Sequence, residues 1–542
     1  MESKDKQWWL LAGYVFLILI LSSVVLGKST KEKSHSLSLA TMVPLLKLEN
    51  KLINNLDNYT KDLEEKLQII RSQIKVMRSE NKKGRQDPIS YLSNPLNSFS
   101  LIRRLNQDWI KWRKYMEQPA GFSQLINFDS WRDELPTQTD LWEACTGVIR
   151  IQSTYNLDIA AFVKGKINGK QYNSSMSCAD ILAVGKHLVK EKKTKEAIQW
   201  LQEVPHRLQK DVLVIPKHLA IEKEEVLKLL VETHLKEKCY TETLDLLDDS
   251  LELKPQDAAF MRLRKQATAL KTNQANHTLE ENKQKKVPIV DNYTLSCRGK
   301  INKPNRLKCF YNFTTTPFLR LAPLKMEEIG LNPYVLLYHE VLSAREISML
   351  ISKATKNMKI ARIHNRNPKN KNKGRTAKAY WFIRKNNELT RRITRRIQDM
   401  TGFDLTDSEE FQVINYGIGG HYLTHSDYFN FASSNYTEKI NRQGKVLGDR
   451  IATVLFYLTD VEQGGATAFP TVGYSVYPRA GTAIFWHNLD TNGNGDILTR
   501  HAACPVIVGS KWVMTEWIRE RRQIFIRPCL PPAPTDRNSS KS

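Results

Sequence analysis

The chain has 542 residues, 41% of them hydrophobic, and carries 82 Lys+Arg against 57 Asp+Glu, a formal charge of +25. That length holds three or four domains with sizeable cores. A basic excess of this size points to nucleic acid or an acidic surface, but the first residues argue against nucleic acid, because they direct the chain into the secretory pathway.

Lys4 and Lys6 precede an apolar run over residues 8–26, and Val25 and Gly27 follow the small-residue pattern of a cleavage site. The reading is a signal peptide over 1–27; the run is long enough that an uncleaved signal anchor competes with it. Asn58, Asn173, Asn276, Asn292, Asn312, Asn435 and Asn538 each begin an Asn-x-Ser/Thr acceptor, in keeping with luminal exposure. The chain ends without a Lys-Asp-Glu-Leu type retention signal. Cysteines stand at 145, 178, 239, 297, 309, 504 and 529 with no Cys-x-x-Cys spacing. In an oxidising lumen disulfides are expected, but spacing alone does not assign their partners.

Residues 38–82 read as a long helix. Leu45, Leu48, Leu52, Leu56, Tyr59, Leu63, Leu67, Ile70, Ile74 and Met77 recur at steps of three and four, making one apolar stripe. The stripe suits packing within a domain and a self-associating coiled coil about equally. A second helical run spans 99–116. Residues 178–255 read as two helix pairs. Gly185, Leu188, Ala197 and Leu201 sit at tetratricopeptide-like spacings, and Leu230, His234, Leu247 and Pro255 repeat them 46 residues on, against a usual period of about 34. The longer loop near 207–216 absorbs the difference. Such a domain is either a small groove for an extended peptide or simply a structural helical layer. The polar, lysine-rich stretch 271–288 reads as a linker.

From about residue 321 the texture becomes short β-rich segments between Gly, Pro and Asn turns, with strands expected at 411–416, 451–458, 482–486 and 512–518. Many short strands in some 200 residues suggest a jelly roll or related barrel. The run from Lys369 to Thr376 reads as a basic loop, either plainly solvated or a lid over a cleft.

Within this region His425 and Asp427 alternate, so on a strand both reach one face. His501 lies far downstream. A His-x-Asp pair with one distant His is the ligand set that holds non-haem Fe(II) and leaves positions open for substrate and O₂. Lys511 follows in Gly509-Ser-Lys-Trp, a cation suited to a dicarboxylate co-substrate; without His501 it would read as a surface lysine. Arg500 is its rival, but as a strand neighbour of His501 it should face away.

Longer blocks accompany this set: Gln412-Val-Ile-Asn-Tyr-Gly-Ile-Gly-Gly-His-Tyr, Arg450-Ile-Ala-Thr-Val-Leu-Phe-Tyr-Leu, Gly464-Gly-Ala-Thr-Ala-Phe-Pro, Gly481-Thr-Ala-Ile-Phe-Trp and Arg500-His-Ala-Ala-Cys-Pro-Val. They resemble, in order, the catalytic domain of animal collagen prolyl 4-hydroxylase α subunits. Asn94-Pro-Leu-Asn-Ser-Phe and Arg104-Leu-Asn-Gln-Asp-Trp resemble that family's amino-terminal domain.

The resemblance implies a multidomain α + β chain: a helical dimerisation domain over 28–165, a tetratricopeptide-like peptide-binding domain over 166–268, a linker with a disulfide loop over 269–320, a double-stranded β-helix (jelly-roll) dioxygenase domain over 321–530 and a disordered tail over 531–542. It implies Fe(II) on His425, Asp427 and His501. Lys511 would hold the distal carboxylate of 2-oxoglutarate, with Tyr416, Thr467 and Trp517 lining that pocket. Proline C4 would be hydroxylated in collagen-like peptides while 2-oxoglutarate gives succinate and CO₂, with ascorbate restoring the iron. By the same analogy Cys297 pairs with Cys309 and Cys504 with Cys529. Protein disulfide isomerase would be the β subunit of an α₂β₂ tetramer in the endoplasmic reticulum lumen, its own retention signal explaining why this chain needs none.

The chain departs from the family at one place. The family's peptide groove is lined by tyrosines, and here the expected aromatic positions hold Leu229, Glu232 and Leu235. Aromatic faces suit proline rings, so the same chemistry on a non-collagen substrate, and a non-catalytic assembly or peptide-binding subunit, stand as alternatives.

Overall fold

The computed structural model describes residues 34–205, 223–277, 290–300, 306–361, 374–384, 387–429 and 446–526. The signal segment, the 207–216 loop, most of the basic run from Lys369, Cys529 and the tail lie outside them. Among the described residues no helix is long and apolar enough to cross a membrane. The chain divides into two units, one of residues 41–137 and one of 1–40 with 138–542.

The smaller unit is built on the helix Leu39–Gln86, four residues longer at its end than the apolar stripe indicates. Asp87 caps the next helix, Pro88–Ser93, and Asn94 caps Pro95–Arg103, each with Pro at the first turn, where its missing N–H removes no bond. A π-helical turn, Arg104–Asp108, interrupts the second run before Trp109–Glu117. The chain returns to the long helix at Gly121, where φ is +72° and an added Cβ would lie 2.0 Å from the Tyr59 ring. Four of the ten stripe residues stay outside: Leu56, Leu63, Leu67 and Ile74 are exposed.

In the larger unit the helix Gln138–Tyr155 leads to a short hairpin, β1 (Lys166–Ile167) and β2 (Lys170–Gln171). The helices Cys178–Lys190 and Thr194–Leu201 then pack so closely that a Cβ on Gly185 would meet Leu201 Cδ2 at 2.3 Å. Leu188, Ala197, Trp200 and Leu201 are fully buried between them. Lys223–Lys236 and Tyr240–Leu253 form the second pair, burying Leu230, His234 and Leu247. A fifth helix, Ala258–His277, covers that pair through Phe260 and Ala267. The helix runs past residue 271, so the linker begins later than expected.

The β region contains β3 (Cys309–Asn312), β4 (Leu324–Leu331), β5 (Tyr334–His339), β6 (Lys359–Ile360), β7 (Ala377–Phe382), β8 (Phe411–Tyr416), β9 (Tyr422–His425), β10 (Arg450–Tyr457), β11 (Gln463–Gly464), β12 (Thr467–Phe469), β13 (Tyr474–Val476), β14 (Ala483–His487), β15 (His501–Ala503), β16 (Val506–Val508) and β17 (Trp512–Arg519). Nine form one sheet in the order β3-β4-β5-β14-β10-β17-β8-β7-β6, and four form a second, β13-β12-β15-β9. Alternation along each strand separates two cores. Phe411, Val413, Val454, Phe456 and Met514 face the helices Ala344–Thr355 and Glu388–Thr401, whereas Ile414, Tyr416, Tyr457, Trp486 and Val513 face Phe469, Val476 and Ala503 of the small sheet. The site sits between the sheets.

Both disulfides differ from the pairing that the resemblance implies, since Cys504 is taken by Cys297 and is not available to Cys529. Cys297, at the end of the helix Asn292–Cys297, is bonded to Cys504, and Cys309 is free and exposed on β3. Cys297 and Cys504 pack with Ala466 and Ala468 beneath that helix, while Cys309 pairs across β4 with Glu327 and points outward. Of the acceptor asparagines, Asn312 is buried and its amide is bonded to Thr315, so it offers no glycan site in this fold.

Candidate metal and co-substrate site

His425 ends β9 and His501 begins β15, and the two are direct cross-strand partners. Their rings lie 4.3 Å apart between centroids. Asp427 lies just past the end of β9 rather than on it, so it reaches the same point by a turn and not by strand alternation. Its Oδ1 is 3.7 Å from His425 Nε2 and its Oδ2 is 3.6 Å from His501 Nε2. The three side chains offer one ligand atom each, all within 4.8 Å of one another.

The orientation of each ligand is fixed from behind. His425 Nδ1 lies 2.9 Å from the Leu423 carbonyl and His501 Nδ1 lies 3.0 Å from the Thr499 carbonyl. A carbonyl only accepts, so each Nδ1 carries the proton and each Nε2 lone pair faces inward. Thr453 donates to Asp427 Oδ2 at 2.8 Å, Asn488 Nδ2 donates to Thr453, and Trp486 Nε1 donates to Asn488 Oδ1. This chain of buried bonds leaves Asp427 one orientation, and the Trp486 ring stands edge-on to His501. Burial, then the neighbouring His501, lowers the His425 pKa to about 3. Burial alone would raise Asp427, but His501, His425 and Arg450 outweigh it and its carboxyl is held low. At neutral pH the cluster is a neutral imidazole facing a carboxylate, the protonation a divalent metal requires. The donor set fits Fe(II).

Lys511 immediately precedes β17 and is 1% exposed. Its Nζ lies 5.1 Å from the Tyr416 ring centre and 5.9 Å from that of Tyr457. Burial drops its pKa to about 7, with no acidic side chain among the described residues offsetting the effect. Thr467 is beside it: its hydroxyl bonds the Tyr457 hydroxyl at 2.7 Å. Trp517 is not. It lies on β17 six residues past Lys511, opposite Thr453, stacked 4.1 Å from the Arg450 guanidinium and 5.9 Å from Trp381. It therefore flanks the His425–Asp427–His501 cluster and not the lysine. Arg500 is exposed.

Several functional residues carry no motif of their own. Arg450, Thr453 and Tyr457 sit within one recognisable block and Asn488 lies just past another, yet only the pairing of β10 with β14 and β17 brings them to the cluster. Arg450 is gripped by both oxygens of Glu409 and donates to the Asp427 carbonyl. Tyr422 stacks on His425 at 3.6 Å with Arg375 on its outer side.

Comparison with known proteins agrees with this site. A family described as the prolyl 4-hydroxylase alpha-subunit N-terminal region matches residues 38–169, and the 2OG-Fe(II) oxygenase superfamily matches residues 411–519. Prolyl 4-hydroxylase subunit alpha-1 of Mus musculus is 31% identical over 535 residues, covering 94% of this chain and 98% of the relative. Prolyl 4-hydroxylase subunit alpha-2 of Caenorhabditis elegans is 32% identical over 456 residues, covering 81% and 83%. Among solved structures, the viral collagen prolyl hydroxylase of Paramecium bursaria Chlorella virus-1 in complex with 2OG is 26% identical, covers 34% of this chain and 95% of its own, and has a TM-score of 0.28.

Proposed function

This chain belongs to the prolyl 4-hydroxylase α-subunit family, and on that premise we propose that it is the catalytic subunit of a procollagen-proline 4-dioxygenase. It is a 2-oxoglutarate and Fe(II) dependent dioxygenase. The observation that carries the reading is the pairing of two sites in one cleft: three ligand atoms converging from His425, Asp427 and His501, and a buried, uncompensated Lys511.

In this reading His425, Asp427 and His501 hold the iron through inward-facing Nε2 and carboxylate atoms. Bound Fe(II) supplies the centre at which O₂ and 2-oxoglutarate react, giving succinate and CO₂ and a hydroxyl on proline C4. Lys511 takes the distal carboxylate of 2-oxoglutarate, regaining the charge stabilisation that burial removed. Tyr416 and Thr467 wall that end. Thr453 keeps Asp427 from turning away, and Trp517 and Arg450 border the mouth by which substrate enters. Ascorbate is the reductant that keeps the metal ferrous.

The remaining assignments belong to the same proposal. The paired sheets are read as a double-stranded β-helix, and the helix pairs over 166–268 as a tetratricopeptide-like peptide-binding domain. The exposed Leu56, Leu63, Leu67, Phe99 and Ile102 suit a dimerisation domain over 28–165, within an α₂β₂ assembly whose β subunit is protein disulfide isomerase. Cleavage of a signal peptide over 1–27 would deliver the chain to the endoplasmic reticulum lumen. Leu229, Glu232 and Leu235 are each partly exposed on their helix, which supports a peptide preference shifted away from that of a tyrosine-lined groove.

The test is mass spectrometry of a (Pro-Pro-Gly) repeat peptide incubated with the chain co-expressed with protein disulfide isomerase, plus Fe(II), 2-oxoglutarate and ascorbate. One added oxygen on proline, lost in His425→Ala, is expected. Succinate without peptide oxidation would move the substrate away from collagen-like sequence, and no turnover at all would return the chain to a scaffold role.

A further inference from the structure

Residues 34–40, which lead into the long amino-terminal helix, lie against the catalytic domain. Ser34, Ser36, Leu37 and Ser38 are all buried. The Ser34 and Ser36 hydroxyls both donate to Glu143 Oε2, at 2.6 and 2.7 Å, and the His35 backbone N–H donates to Asp140. The segment crosses β8 next to the proposed co-substrate pocket. Ile418 donates its N–H to the Ser36 carbonyl. A Cβ on Gly417 would lie 1.9 Å from that carbonyl oxygen and 2.6 Å from the Leu37 carbonyl carbon, so only glycine lets the segment pass.

Asn415 is the junction. It is fully buried, and its Oδ1 accepts from the Ser38 hydroxyl at 2.5 Å and the Ala40 N–H at 3.1 Å. Its Nδ2 donates to Ser510 Oγ at 3.3 Å and to the Lys511 carbonyl at 3.2 Å. An amide side chain has two acceptor and two donor positions; here the segment fills both of the first and the turn presenting Lys511 fills both of the second. Tyr416, which underlies Lys511, is bracketed by Asn415 and Ile418, the two residues that the segment holds.

We propose that residues 34–40 form a strap that positions Lys511 and Tyr416 for the distal carboxylate of 2-oxoglutarate, acting through Asn415, so that co-substrate affinity depends on the start of the amino-terminal domain. Ser38, Gly417 and Asn415 are positioning residues that touch no substrate. The inference rests on the reading of Lys511 as the 2-oxoglutarate anchor.

Full-length chain co-expressed with protein disulfide isomerase is compared as wild type, Ser38→Ala, Gly417→Ala and Lys511→Met. Losing one buried bond or displacing the strap should raise KM for 2-oxoglutarate roughly three- to tenfold, with kcat and peptide KM changing less. Inhibition by pyridine-2,4-dicarboxylate should weaken in parallel, and inhibition by pyridine-2-carboxylate, which lacks the distal carboxylate, should not. If Lys511→Met raises this KM while both strap variants stay within about twofold of wild type, the strap inference fails and the pocket reading stands. If Lys511→Met leaves KM unchanged, both fail. Equal weakening of both inhibitors would reduce the strap to general support of the fold. Should Gly417→Ala not accumulate, Ser38→Ala decides alone.

Discussion

The co-substrate affinity should depend on pH through Lys511. Its pKa falls from 10.5 to about 7 because no charge among the described residues offsets burial of the ammonium, a perturbation of about 5 kcal/mol. An incoming carboxylate restores the charged form, so only the protonated enzyme binds 2-oxoglutarate well. Below pH 7 most lysine is charged and KM is flat. Above it the competent fraction falls tenfold per pH unit, so KM for 2-oxoglutarate should rise about fifty-fold between pH 7 and pH 9. His425 is already neutral throughout that window. Steady-state assays with saturating peptide and Fe(II), read by succinate release from pH 6 to 9, test this. Lys511→Arg should flatten the profile at whatever affinity it retains, because guanidinium does not titrate there. A flat wild-type profile with KM unmoved by Lys511→Met would refute the reasoning.

The same burial predicts a trade of stability for function. A lysine whose folded pKa lies below its unfolded value costs stability below the folded pKa and recovers it as pH rises toward the unfolded one, so Lys511→Met should raise the melting temperature of the ligand-free protein by several degrees at pH 6.5 and by roughly half as much at pH 9; a lower Tm at both would contradict it. Thr453→Val, which removes the bond to Asp427, should raise the Fe(II) concentration needed for half-maximal turnover roughly ten- to hundredfold, with KM for peptide nearly unchanged. Gly185→Ala places a methyl 2.3 Å from Leu201 Cδ2 and should destabilise the first helix pair by about 1–3 kcal/mol, seen as an earlier thermal transition by circular dichroism. Non-reducing peptide mapping should recover a Cys297–Cys504 cross-link; a Cys297–Cys309 peptide instead would restore the pairing expected by analogy.

The strands were legible where their alternation is bounded by turns. The reading of 411–416 matches β8 residue for residue, and those of β10, β14 and β17 differ by a residue at the ends. His425, Asp427 and His501 were legible because ligand chemistry restricts residue type so strongly. Asp427 was placed on a strand it has already left, since periodicity says nothing about where hydrogen bonding stops. Analogy alone places Trp517 in the lysine pocket; strand register puts it six residues, about three pleat repeats, away. The helix Ala258–His277 lies beyond the two expected pairs, and its polar last turns run into the stretch that reads as linker. The strap at 34–40 and the Thr453–Asn488–Trp486 chain left no local signature, because each arises from contacts between segments tens to hundreds of residues apart.

The central claim is that His425, Asp427 and His501 hold the iron at which proline is oxidised at the expense of 2-oxoglutarate. It is tested most directly by running the reaction under isotopically heavy O₂ and following both products by mass spectrometry. One heavy atom in succinate and one in hydroxyproline, formed in equal amounts and both absent in Asp427→Ala, is the expected result. Heavy oxygen in neither product, or turnover that survives Asp427→Ala, would contradict it.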